Sequence, residues 1–195
     1  MSAIKLIPAS GGGSVSLSPP SSTSGTDITV TLPTASTTLG RILNVWNDLK
    51  ADTSSTSSTS FVDIGNLDLT VSPASTSSKF LITATLNLCY NNTGGYDGLG
   101  RLVKVISGTT TPIGNSTSSP NGESQNGFLH VSGQNSTFET NCGTVTYLDS
   151  PNTTSNILYK VQFKSASGSY TCYCNRRVYN DWHTSSSLTV IELAS

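Results

Sequence analysis

Two short stretches hold the side chains whose types and spacing could do chemistry. Tyr96-Asp97 closes the turn-rich run Asn91-Asn92-Thr93-Gly94-Gly95, and Asn180-Asp181-Trp182-His183 follows Tyr179. Each sets an aromatic ring beside amide and carboxylate groups. A sugar is held by that mixture, because the ring packs the apolar face of the pyranose while the polar groups bond its hydroxyls. Tyr96, Asp97, Asn180, Asp181, Trp182 and His183 are therefore the candidate glycan- or receptor-contact residues. The competing reading makes Trp182 an anchor that ties its loop to the core or to a neighbouring subunit.

Catalytic chemistry has little to work with. A nucleophilic triad needs a histidine oriented by a carboxylate beside an activated hydroxyl or thiol, and neither His130 nor His183 is flanked by a Gly-x-Ser-x-Gly elbow. His130 sits in an alternating segment and reads as a strand residue with a satisfied imidazole. Glu123, Glu139 and Glu192 are scattered, so no carboxylate pair for glycoside hydrolysis is evident. Glu192 reads as a charge at a strand edge. Asp63 and Asp68 lack the spacing of an EF-hand calcium loop. Gly11-Gly12-Gly13 runs into Ser14-Val15 rather than a helix, and reads as flexible chain instead of a phosphate cradle.

Cys89, Cys142, Cys172 and Cys174 are too few and too unevenly spaced for a disulfide scaffold. Cys172 and Cys174 share a strand face, like half a metal site, but the two histidines do not complete a conventional ligand set. Buried free thiols are the expectation. No catalytic residue, metal or cofactor is expected. The Asn-x-Ser/Thr tripeptides at Asn91, Asn115, Asn135 and Asn152 follow from composition alone.

That composition is hydroxyl-rich: 34 Ser and 28 Thr against 11% charged residues. A disordered chain lacks the apolar residues that offset the entropy lost on folding, whereas this one is 34% hydrophobic, in short regular runs. Thr favours the pleated surface, and Ser, Asn and Gly favour turns, which points to a folded β-protein. The formal charge is −1 and Arg176-Arg177 is the only basic doublet, which argues against nucleic acid as a partner. No stretch approaches the roughly 20 apolar residues of a spanning helix, and Met1-Ser2-Ala3-Ile4-Lys5 lacks the apolar core of a secretory signal. A soluble chain with no membrane partner is expected.

The elements that must position the two loops fall into two parts. Residues 1–40 contain no aromatic residue and are punctuated by Gly11-Gly12-Gly13, Pro19-Pro20 and Pro33. This arm holds two alternating segments, 15–18 and 27–32, which cannot stabilise themselves alone and must pair with something else. Residues 41–50 fit helical spacing and strand spacing alike, and the β-rich surroundings favour a strand. The clearest strand places Phe80, Ile82, Ala84, Leu86, Leu88 and Tyr90 on one face. Similar alternation occurs at 67–71, 99–106, 128–131, 138–148, 157–163, 170–174 and 188–193. Turn clusters such as Pro120-Asn121-Gly122 and Asp149-Ser150-Pro151-Asn152 separate them. Eight to ten such strands with no convincing helix predict an all-β antiparallel sandwich or jelly roll over 41–195.

The arm, Gly13-Ser14-Val15-Ser16-Leu17-Ser18-Pro19-Pro20 running into Ile28-Thr29-Val30-Thr31-Leu32-Pro33, resembles the N-terminal β-arm of virion structural proteins of tailed bacteriophages. The body is similar to the jelly-roll domain of that family through Ser60-Phe61-Val62-Asp63-Ile64, Leu67-Asp68-Leu69-Thr70-Val71-Ser72-Pro73, Ser77-Ser78-Lys79-Phe80-Leu81-Ile82, Tyr147-Leu148-Asp149-Ser150-Pro151 and Leu188-Thr189-Val190-Ile191-Glu192-Leu193. The resemblance implies a TNF-like jelly-roll head that forms a homotrimer on the surface of a virion. It also implies an arm, with Ile4, Leu6, Ile7, Val15, Leu17, Ile28, Val30 and Leu32, that docks to other virion proteins. The arm is short and carries no shaft repeat. A short fibre displaying its head to host surface glycans, or a capsid decoration protein without a receptor, fits better than a long tail fibre.

Overall fold

The computed structural model describes residues 4–6, 15–17, 42–91, 96–116, 126–132 and 139–194. The chain divides after Thr37 into two compact units. In the first, β1 (Ile4–Leu6) pairs antiparallel with β2 (Val15–Leu17), setting Ile4 opposite Leu17 and Leu6 opposite Val15. The strand expected at 15–18 is present, and it finds its partner within the arm, in a segment to which alternation assigned no strand. Ile7, Ile28, Val30 and Leu32, with the expected strand at 27–32, lie outside the described residues.

The second unit is built from two antiparallel sheets. One contains β3 (Ile42–Lys50), β4 (Ser54–Thr56), β6 (Lys79–Tyr90), β10 (Asn141–Asp149), β12 (Cys172–Cys174) and β13 (Ser186–Leu193). The other contains β5 (Val62–Val71), β7 (Asp97–Ile106), β8 (Thr109–Pro112), β9 (Leu129–Ser132) and β11 (Ile157–Ser165). Registers reduce these strands to eight rows. β12 and β13 lie end to end along β6, opposite Leu88–Tyr90 and Lys79–Thr85, and β4 and β3 repeat the arrangement beyond them. β9 and β8 share one side of β7 in the same way. Numbered in chain order, the rows of the first sheet run 1-8-3-6 and those of the second 2-7-4-5, the strand order of a jelly roll.

Residues 42–50 are a strand, as their surroundings favoured. β4 and β8 carry no apolar alternation, only hydroxyls and a proline, and give no periodic signal. β6 sends Phe80, Ile82, Ala84, Leu86, Leu88 and Tyr90 inward, where they share a core with Leu102, Tyr159, Val161, Phe163, Leu188 and Val190. The inward row of β7 is broken by glycines for a reason. A Cβ at Gly98 would come within 2.7 Å of Cys172 Sγ, and one at Gly100 would run into Leu86 Cδ2.

Two buried polar groups tie the layers together and a third is held within one of them. Asp149 of β10 accepts from Lys104 Nζ (2.6 Å) and from the Tyr159 hydroxyl (2.8 Å). Lys50 Nζ donates to Asp52 Oδ1 and to Gly65 O, both at 2.8 Å, which joins the outer rows of the two sheets. Glu192 corrects the sequence reading: it is fully buried in a strand flanked on both sides, by β3 and β6, and accepts from Ala74 N (2.7 Å) and Asn44 Nδ2 (2.8 Å). The period-two alternation shows which face a strand residue takes but not which row of the sheet the strand occupies.

The outer face of the first sheet is uncharged over three successive cross-strand rows. These are Val45-Ile191-Leu81-Leu148, Asn47-Thr189-Thr83-Thr146 and Leu49-Ser187-Thr85-Thr144. Thr83 and Thr146 hydroxyls pair at 3.3 Å, and Thr85 and Thr144 at 3.0 Å. Val45, Leu49 and Leu148 are exposed there.

Candidate contact site

The eighth row is interrupted. Between β12 and β13 the chain leaves the sheet at Asn175 and returns at Ser186, so that residues 175–185 form an excursion from a strand that otherwise continues. Asn175 makes this possible. Its φ of 61° turns the backbone out of the pleat, a left-handed conformation that Asn tolerates better than most residues. Every polar group it owns is then used. Its N–H donates to Asn87 O (3.0 Å), its Nδ2 to Lys50 O (2.8 Å) and Asp52 O (3.0 Å), while Oδ1 accepts from Ser186 Oγ (2.6 Å) and its carbonyl from Thr184 N (3.0 Å). The break in the neighbouring row, at 51–53, is sealed by the same side chain.

Within the excursion, Arg176 and His183 pair as an isolated antiparallel bridge, and Asn180 N donates to Arg177 O (3.1 Å) to close a β-turn. Arg177 holds Asp181 through two bonds, Nε to Oδ1 at 3.1 Å and Nη2 to Oδ2 at 2.6 Å, and this guanidinium pulls the Asp181 pKa below its ordinary value. His183 Nε2 pairs with Asn180 Oδ1 at 3.1 Å. Arg176 stacks over Tyr173 at 4.0 Å and donates to the carbonyls of Arg177 and Val178.

This bracing leaves two rings displayed, Trp182 at 69% and Tyr179 at 61% exposure. The reading of Trp182 as an anchor to this chain's core is thereby overturned. The excursion also folds back over the sheet. Cys89 points outward by its place in β6, yet it is fully buried, its thiol hydrogen-bonded to the Val178 backbone and its pKa raised by burial.

The six candidate residues separate into two groups. Asn180, Asp181, Trp182 and His183 share the excursion, where Asn180 and Asp181 serve as internal braces and Trp182 faces solvent. Tyr96 and Asp97 lie at the start of β7, in the other sheet. Tyr96 is half exposed, with its ring 5.5 Å from that of Tyr170, which lies 6.3 Å from Tyr90. Asp97 pairs with His130 Nε2 at 3.0 Å, so the His130 imidazole is satisfied as its strand setting implied. Tyr179 and the two arginines were missed as contributors. The spacing of Arg177 and Asp181, four apart, was the signal that could have identified a braced turn.

Among the thiols, Cys89, Cys172 and Cys174 are buried, and burial holds Cys174 up at about 11. Cys142 is exposed, contrary to the expectation of buried thiols, because its outward position on β10 has nothing folded over it among the described residues. No group of three or more His, Cys, Asp or Glu side chains among the described residues could hold a metal ion.

No protein-family model matches the chain, and no curated protein matches it. Among solved structures it superposes weakly on that of the Gx strain of infectious bursal disease virus, with 14% identity and a TM-score of 0.38 over 96% of this chain and 48% of the other. The Gt strain structure gives 13% identity and a TM-score of 0.37 over 96% and 46%. The chain thus spans about half the length of the structures it matches. The assignment of the jelly roll rests on strand order, independently of these superpositions.

Proposed function

We propose that the chain is a structural protein of a virus particle: a homotrimeric short fibre of the tailed-phage type. In this reading residues 1–40 dock it to another virion protein and the jelly roll presents residues 175–185 to host-surface glycans. The display half is carried by one observation, two exposed rings on an excursion whose own hydrogen bonds and ion pair hold it rigid. Rigid aromatic surface is an inexpensive way to bind, since little conformational freedom is lost on contact. Support for self-association comes from the uncharged outer face of the first sheet, which can meet a copy of this chain without like charges opposing one another. Support for the virion setting comes from the resemblance of arm and body to phage structural proteins. Weak individual sites would be multiplied by trimer and particle symmetry.

The second reading is a capsid decoration protein with no receptor. It is favoured by the engagement of Asp181 and Asn180 inside the excursion, which leaves fewer polar groups for a sugar. A glycan array probed with the intact protein separates the two. Attachment predicts binding that falls by tenfold or more in Trp182→Ala, the scale of a truncated aromatic hot spot at roughly 2 kcal/mol. Absence of binding, or binding indifferent to Trp182→Ala and Tyr179→Ala, leaves the decoration reading. Hundreds of copies per particle would point the same way.

A further inference from the structure

The outer face of the second sheet holds a largely buried lysine whose ammonium, among the described residues, is unpartnered. Lys164 of β11, Leu99 of β7 and His130 of β9 stand side by side across three strands. Lys164 is only 7% exposed. Among the described residues its ammonium has no hydrogen-bond or ion-pair partner, and it lies 5.2 Å from the centroid of the Phe61 ring. A second cation, Arg101, lies over the same ring at 3.9 Å. Beyond Leu99, the His130–Asp97 pair forms a wall, and Ala166 completes a pocket of about 170 Å³.

The other buried and half-buried lysines of the described residues show what is missing here. Lys50 has Asp52 and Gly65 O, Lys104 has Asp149, and Lys160 has Asp63. Burial, and after it the Arg101 charge, hold the Lys164 pKa below its ordinary value. The fold therefore keeps an ammonium where desolvation and a like charge both oppose it. An anion seated in the pocket would relieve both.

We propose that this pocket binds a single oxyanion, the carboxylate of an acidic sugar or a free inorganic phosphate, on Lys164 with the Arg101 charge behind it. The volume is ample for one such group. The site is separate from the excursion at 175–185 and does not depend on the attachment reading.

Calorimetric titration of the intact chain with glucuronate, glucose and inorganic phosphate tests this. An anion is expected to bind and glucose is not. Lys164→Met should weaken anion binding at least about tenfold, as loss of a charge-assisted hydrogen bond would, with a melting temperature equal to or above the parent's. Lys164→Arg, which keeps the charge if the methionine variant folds poorly, should retain binding, and Trp182→Ala should not change it. Glucuronate binding more tightly than phosphate assigns the sugar as source, and the reverse order assigns the free anion. The proposal is overturned if neither anion binds, if glucose binds as well as glucuronate, if folded Lys164→Met binds as the parent does, or if Trp182→Ala abolishes binding.

Discussion

A carboxylate in the middle of a sheet costs several kcal/mol unless donors surround it, and Glu192 has them. Burial pushes its pKa up, but the Ala74 N–H, the Asn44 amide and the Ser78 hydroxyl outweigh it, and the net displacement is downward from 4.5. A group with a depressed folded-state pKa adds stability that is complete above its unfolded value and lost as pH falls through the folded one. Thermal unfolding followed from pH 7 to pH 3 should therefore show an acid limb to which Glu192 contributes from about 4.5 downward. Glu192→Gln should cost about 1–3 kcal/mol at neutral pH, by weakening charged hydrogen bonds, and should flatten that limb. Parent and variant curves running parallel down to pH 3 would show that the carboxylate is not what the acid attacks. The sequence placed Glu192 correctly in a strand, yet its burial depends on β3 lying beside β13, a pairing of residues nearly 150 positions apart.

The excursion is the element proposed to touch other molecules. Its removal is expected to leave the sheet standing, because Thr184 N already bonds Asn175 O across its neck. Replacing residues 176–183 by Asn-Gly, a pair suited to a two-residue hairpin, should keep the cooperative unfolding transition. It should also uncover Cys89. Titration with a thiol reagent at pH 8 should then find two reactive cysteines in the folded variant, against only the exposed Cys142 in the parent. A count unchanged by the deletion would mean that something other than the excursion covers Cys89. How legible this was varied by element. β6 could be read directly, since half-buried strands alternate. β12 and β13 also alternate, but nothing in their residues says that they are one row with a loop spliced into it. That fact belongs to the shared pairing with β6. Trp182 stood out in the sequence as a candidate contact residue because an indole in a polar loop needs an explanation, and the structure shows it displayed. The role of Asp181 was not, because a carboxylate beside an aromatic ring looks the same whether it serves a ligand or an arginine.

At the scale of the molecule, the uncharged rows on the first sheet are the surface through which copies of the chain are expected to meet. Four strands about 4.8 Å apart, over the roughly six residues that three rows span, present roughly 400 Å² before side-chain relief, below the usual 800 Å² per partner. The face therefore suffices only as part of a larger seam. Val45→Lys with Leu148→Lys sets two like charges on the row that would face its copy. Sedimentation should find a trimer for the parent and a monomer for the double variant, with unfolding little changed because both positions are exposed. A parent that sediments as a monomer at high concentration would remove this face from the assembly. The paired threonines carry a further consequence. Hydroxyls that bond one another across Thr83-Thr146 and Thr85-Thr144 have already released part of their water, and no ion stands among them for salt to screen. Contacts made on this face would hold as well in brine as in dilute buffer.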